Sequence, residues 1–195
     1  MVRFVIAFIF TLIFNAALAG DFEDGFAAIE RKDYATALAK FRSAAQQGSV
    51  AAQFNLGLMY DMGHGVAQDY KEAVRWYQRA AQQGLAQAQY TLGLMYNNGQ
   101  GIAQDYNEAV RWYKLAAKQG YKAAHNNLGV MYFNGQGVAQ DYVRAHMWLN
   151  LAAVGGDKDI VTNRDLAASK MSAQQIEQAQ RMGRECVASN FIKCD

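Results

Sequence analysis

Apolar residues fall into two kinds of stretch along this chain. Over residues 4–18 they are nearly continuous, whereas beyond about residue 22 they recur at helical spacing. Within residues 87–96, Ala88, Leu92 and Tyr96 stand at i, i+4 and i+8, one face of a helix, here termed helix A. After the turn Gly99-Gln100-Gly101, Asp105 is placed to accept hydrogen bonds from the free amides of a second helix, helix B, running from 106 to about 119. Its apolar side carries Ala109, Val110, Tyr113, Ala116 and Ala117, and Gly120 supplies the left-handed residue that ends a helix.

The same order returns along the chain. Asp33-Tyr34, Asp69-Tyr70, Asp105-Tyr106 and Asp141-Tyr142 recur at steps of 36 residues, and Gly48, Gly84, Gly120 and Gly156 keep that step. A fixed period of this size is the signature of a solenoid, because a helical hairpin with one apolar face must bury it against its neighbours. Ala52, Ala88 and Ala124, with Gly57, Gly93 and Gly129, are expected to let the paired helix backbone come close, since a mid-helix glycine costs about 0.5–1 kcal/mol relative to Ala. Trp76-Tyr77, Trp112-Tyr113 and Trp148 read as core and inter-repeat packing.

The run Ala88-Gln89, Leu92-Gly93, Tyr96, Gly99-Gln100-Gly101, Asp105-Tyr106, Ala109, Trp112-Tyr113, Ala116-Ala117, Gly120 resembles the Sel-one-like repeat, a 36-residue relative of the tetratricopeptide repeat. Full copies span 49–84, 85–120 and 121–156; a partial copy spans 22–48, where Arg31-Lys32-Asp33 replaces the glycine turn. The resemblance implies an all-α solenoid of four to five helical hairpins in a right-handed superhelix, covering 20–190. Members often carry Pro in the turn before Asp-Tyr; here Ala67, Ala103 and Ala139 stand there, which predicts less rigid turns.

Both ends depart from the repeat. Residues 157–190 are expected to form two capping helices, the second opened by a Ser172/Gln175 capping box and carrying the polar outer face a solenoid cap needs, in Gln174, Glu177, Gln178, Gln180 and Arg181. A tail, 191–195, follows. Cys186 and Cys194, the only cysteines, can pair in an oxidising compartment or remain free thiols. The cysteine-rich branch of the resembled family has a disulfide in each repeat, and this chain has none there. At the other end Arg3, the apolar run and Ala17-Leu18-Ala19 read as a secretory signal cleaved between Ala19 and Gly20. A membrane anchor is the alternative, but the apolar run is shorter than the roughly 20 residues that span a bilayer core. The expected location is periplasmic or secreted, without membrane insertion after cleavage.

Composition narrows the function classes. Hydrophobic residues make up 52% of the chain and charged ones 18%, which excludes wholesale disorder. The formal net charge of +2, without a basic stripe, argues against nucleic acid as a partner. His64, His125 and His146 have no second His or Cys at ligand spacing, and no nucleophile stands in a Gly-x-Ser-x-Gly context. Glu72 and Glu108 recur one period apart and read as solvated helix positions. No catalytic residue, cofactor or metal site is expected.

Function then falls to a surface. On helix A, Phe54, Tyr90 and Asn126 share one slot; Leu58, Leu94 and Val130 the next turn; Asp61, Asn97 and Phe133, then Met62, Asn98 and Asn134, the end. Spaced i, i+4, i+7 and i+8, they form a stripe apart from the Ala, Leu and Tyr core stripe. In tetratricopeptide-like superhelices the matching face lines a concave groove for a peptide. The resemblance therefore implies a groove with an aromatic and aliphatic floor and amide edges, part of which can equally be inter-repeat core. The expected function is a non-enzymatic adaptor that binds another protein or peptide in that concave face. The alternatives are a cysteine-poor relative of penicillin-binding or β-lactam-hydrolysing repeat proteins, and a module that grips peptidoglycan or another glycan. Oligomeric state is open.

Overall fold

The fold is seen in a computed structural model that describes residues 20–194; the expected leader 1–19, with Ala19 of its cleavage pair, and Asp195 lie outside the described residues. Helices follow one another without strands among the described residues: α1 (20–30), α2 (Tyr34–Gln46), α3 (Val50–Met62), α4 (Tyr70–Gln82), α5 (Ala86–Asn98), α6 (Tyr106–Ala117), α7 (Lys122–Asn134), α8 (Tyr142–Ala152), α9 (Lys158–Ala168) and α10 (Ala173–Ala188). They divide into two compact units, 1–83 and 84–195.

In the first unit, α2 follows α1 through the short Arg31-Lys32-Asp33 connection, where Lys32 takes a left-handed conformation (φ 60°). Asp33 accepts from the Thr36 amide at 3.1 Å and Asp69 from the amides of Lys71 and Glu72 at 2.9 and 3.1 Å, so the recurrent aspartate caps helix B. Phe41, Leu56, Met59 and Trp76 form the core with small alanines of α1 to α3.

In the second unit, α5 pairs with α6 and α7 with α8, and α9 and α10 both pack on α8. Asp105 and Asp141 repeat the cap. Helix B ends slightly earlier than its sequence suggests, at Ala117, and Gly120 is left-handed (φ 75°) only after a further turn. The helix A residue that ends the helix in left-handed geometry is Gly99, with Gly135 in its place one repeat on. Ser172 opens α10 with the full capping box: its amide donates to Gln175 Oε1 at 2.9 Å and its Oγ accepts from the Gln175 amide at 3.3 Å.

Two packing expectations need correction. The glycines of helix A make room chiefly for a side chain; only at Gly129 does the paired helix backbone also come close, with Ala145 O 3.2 Å from where a Cβ would stand. A Cβ on Gly57 would lie 2.7 Å from the Tyr77 ring, and one on Gly93 would lie 2.6 Å from the Tyr113 ring. On Gly129 it would meet Leu149 Cγ at 2.5 Å. The partial copy obeys the rule too, with Gly25 under Phe41 at 2.8 Å. The core stripe also turns by one position. Met59, Met95 and Met131 are buried, whereas of the expected tyrosines Tyr60 and Tyr96 are only half-buried and Tyr132 alone is buried. On a 3.6-residue helix, i+7 lies nearer the stripe axis than i+8.

The second unit ends in a clasp. Cys186 and Cys194 form a disulfide and both are buried. Between them Asn190 and Phe191 are both left-handed (φ 54° and 63°), a turn tied by hydrogen bonds from the Phe191 amide to Cys186 O at 2.9 Å and from the Lys193 amide to Ser189 Oγ at 2.9 Å. The turn presents the Phe191 ring to His125, 5.2 Å between centroids.

Candidate interaction surface

The helix A stripe lies at the surface in both units, each built on the tyrosine that its glycine admits. In the first unit Phe54, Leu58 and Asp61 are half-buried and Met62 is exposed. Phe54 packs on Tyr77 with ring centroids 5.5 Å apart, and the Tyr77 hydroxyl donates to Asp61 Oδ2 at 3.2 Å. Burial, with the Asp61 charge behind it, pushes the Tyr77 phenol well above the ordinary tyrosine range.

In the second unit Tyr90 packs between Tyr113 and Tyr121, at 5.7 and 5.1 Å. The phenols of Tyr90 and Tyr113 have their pKa values raised chiefly by burial, with the nearby Asn127 amide of α7 opposing. Leu94, Asn97 and Val130 line a hollow of about 260 Å³ together with Tyr113, Asn127 and Gln136. Val130, Phe133 and Asn134 line a second of about 200 Å³ with Leu149, Asn163 and Leu166. Tyr90, Asn98 and Asn126 line neither hollow. Their amides pair sideways along the surface: Asn97 Nδ2 donates to Asn98 Oδ1 at 2.8 Å and Asn134 Nδ2 to Gln136 Oε1 at 3.3 Å. Asn126 Oδ1 is buried and meets no donor among the described residues. No charged side chain lines either hollow.

The amide Asn127 is the functional group that the stripe reading missed. It occupies the slot held by Asn55 and Thr91 in the preceding copies, a polar position next to the stripe, and its variation was the available signal. A second polar set was also missed, at Gln53, Gln89 and His125, one period apart and all buried. Gln83 Nε2 donates to Gln53 Oε1 at 2.7 Å, and Gln119 Nε2 to Gln89 Oε1 at 2.8 Å, so each glutamine ties a helix A to the end of the helix B after it. The corresponding residue beyond His125 is Gly155, which has no side chain to give; His125 Nε2 lies 3.1 Å from Ala117 O, and the Phe191 ring covers it.

The other chemistry-bearing residues are structural. His64 stacks on Tyr34 at 4.6 Å, and His146 is buried in α8. The Trp76 and Trp112 rings are buried under the guanidinium groups of Arg79 and Arg111, at 4.4 and 4.3 Å. Among the described residues no group of three or more His, Cys, Asp or Glu side chains could hold a metal ion, and no helix is long and apolar enough to cross a membrane.

Antiparallel helix pairs repeated every 36 residues, joined by glycine turns and tied by glycine–ring sockets, define an all-α solenoid of helical hairpins. The chain belongs to the Sel1 repeat family, whose model matches residues 16–49, 50–85, 86–121 and 122–157. Among solved structures it is similar to a Sel1 repeat protein from Oxalobacter formigenes, at 39% identity and TM-score 0.60, covering 66% of this chain and 96% of that one. It is also similar to c5321, a protective antigen of uropathogenic Escherichia coli strains with an SLR fold, at 26% identity and TM-score 0.61. That alignment covers 89% of this chain, which spans about half of the antigen, 47% of its length. No curated protein sequence matches the chain. Sel1 repeat proteins generally serve as protein-interaction scaffolds, bind other proteins, and are generally non-catalytic.

Proposed function

We propose that this protein is a non-enzymatic adaptor that holds a partner protein on the helix A face of its repeats, in the periplasm or outside the cell. The hollow of about 260 Å³ formed by Leu94, Asn97, Tyr113, Asn127, Val130 and Gln136 carries the reading. It has an apolar floor for one side chain, and three side-chain amides at its edge can exchange hydrogen bonds with an extended backbone. Its lining is uncharged, so the segment it suits is neutral and apolar, bound by shape and amide pairing. The location rests on the apolar run at 4–18, which suits an export leader.

The test is capture from an envelope extract of the source organism, with Asn97→Ala/Asn134→Ala beside the unmodified chain. The expected result is a specific protein retained by the unmodified chain and lost from the variant, while the thermal melts of the two coincide. Equal retention by both places the contact elsewhere. Enrichment of cell-wall fragments in place of a protein replaces the adaptor by a glycan module.

A further inference from the structure

A different surface, where the last repeat meets the capping helix α10, stands apart from this groove. Between α8 and α10 lies an open cleft of about 530 Å³, lined by Leu151 from α8, Val154 from the turn that follows it, and Gly183, Arg184, Val187 and Ala188 from α10, with Asn150 and Gln180 at its polar edge. A solenoid cap needs a polar outer face, and α10 supplies one in its exposed Gln174, Glu177, Gln178 and Arg181. The cleft breaks that rule: Val154 and Val187 are 66% and 53% exposed. Gly183 contributes a second irregularity. A Cβ there would touch only Met147 Cγ and Leu151 Cδ2, at 3.8 and 4.0 Å, so this glycine makes room for no neighbour inside the chain, unlike Gly57, Gly93 and Gly129. What it does is deepen the cleft.

Its charge is one-sided. Arg184 forms no ion pair or hydrogen bond with a described residue, and no carboxylate lines the cleft. Four other arginines are ion-paired, Arg75 with Glu72, Arg111 with Glu108, Arg144 with Asp141 and Arg164 with Asp165, and the exposed Arg31 and Arg181, which form no such pair with a described residue, do not line the cleft. An apolar trough between two helices, with one unneutralised guanidinium in its wall, is complementary to a third helix that presents an apolar face and a carboxylate.

We propose that the α8/α10 cleft is a second docking site, which takes an amphipathic helix of a partner protein by its apolar face and pairs Arg184 with an acidic residue on that helix. Val154, Leu151 and Val187 then bury the apolar side chains, and Asn150 and Gln180 face the polar flank. The charge pair fixes the register of the helix, because it forms at only one position along the trough.

The experiment titrates the purified chain with a fluorescent amphipathic peptide of about 16 residues, some four helical turns, with a leucine face bordered by one Glu. Two companion peptides carry Gln or Lys in place of that Glu. The expected result is saturable binding of the Glu peptide, about tenfold tighter than the Gln peptide. Arg184→Ala equalises the two, Arg184→Glu transfers the preference to the Lys peptide, and Val187→Asp weakens all three. Both side chains are exposed, so these variants keep the melting temperature of the parent, and Asn97→Ala/Asn134→Ala leaves the peptide affinity unchanged. Absence of saturable binding overturns the proposal, as does equal binding of the Glu and Gln peptides or a preference that survives Arg184→Ala.

Discussion

The tyrosine over the helix A glycine is packed alike in the two units but ends in different chemistry. In the first unit the Tyr77 hydroxyl gives its hydrogen bond to a carboxylate, Asp61. In the second, the Asn127 amide, not a carboxylate, lies near the Tyr113 and Tyr90 phenols, and the residue at the Asp61 position is Asn97, whose amide turns along the surface to Asn98. What the fold needs is the ring in its socket, and that is constant; what a ligand would read is the polar rim, and that differs. The second unit offers an uncharged hollow, the first a rim with a buried phenol held by an anion.

The sockets are the strongest point at which the likeness can be broken. Gly57→Ala and Gly93→Ala drive a methyl to within 2.7 and 2.6 Å, respectively, of a ring that is fully buried. Each substitution is expected to cost about 1–3 kcal/mol, as overpacking a close-packed interior does. Urea unfolding of the two variants should show equal losses. A loss confined to one would show that the socket serves only that unit.

The units differ more at their ends. The first is tied at α1 by Lys40, 2.9 Å from Asp21 and 2.8 Å from Asp24, exposed pairs that contribute little. The second is closed by the Cys186–Cys194 bridge, for which chain entropy over so short a loop gives roughly 2.5 kcal/mol. Cys186→Ser/Cys194→Ser should therefore destabilise the second unit and leave the first unchanged, with hydrogen exchange in α7 and α8 rising and that in α2 and α3 unaltered. Uniform loss of protection through α2 to α8 would mean that the units unfold as one.

How far the sequence reached follows from these same residues. The 36-residue period, the aspartate caps, the capping box and the helix order were legible because each rests on local chemistry: a carboxylate three residues before an apolar run, a glycine where the chain must turn left-handed. The partner of each glycine was not, because helical spacing says which face is buried but not whether a ring or a backbone meets it. For the same reason Met95 and Tyr96 exchanged places between core and rim, and nothing local marks the burial of Gln89, which is balanced by Gln119 thirty positions away. The candidate stripe was legible as a face. Which of its members meet around a hollow depends on the next helix A, and Asn127 belongs to that helix. The α8/α10 cleft left no periodic trace, since α10 belongs to the cap and has no counterpart one period earlier.

The buried glutamine series sharpens the comparison by pH. His125 stands where Gln53 and Gln89 stand, and burial lowers its pKa below the ordinary imidazole value, with the Ala117 carbonyl opposing. Above the unfolded pKa of about 6.5 the imidazole is neutral in both states and contributes no pH dependence. As pH falls through that value the unfolded chain takes up the proton first, so stability declines, by up to about 1.4 kcal/mol per pH unit for one group. His125→Gln should remove this histidine's share of the decline and leave that of His146, whose pKa is also lowered by burial. Unfolding by urea between pH 7 and pH 5 measures it, and an unchanged slope would show that His125 takes up its proton equally in the folded and unfolded states.

The smallest effect is the most selective. Asp61→Asn converts the rim of the first unit to the amide chemistry of the second. The hydrogen bond from Tyr77 survives with a neutral acceptor, so the change in stability should stay within about 1 kcal/mol, the net value of one such bond. The Tyr77 phenol, relieved of the neighbouring charge but still buried, should titrate at a lower pH than in the parent yet remain above an ordinary tyrosine, because burial is the larger cause of its shift. Ultraviolet titration of the phenolate band reads this directly. A fall to the ordinary tyrosine value would mean that the charge and not the socket governs Tyr77, and the two tyrosines, alike in packing, would then differ in kind.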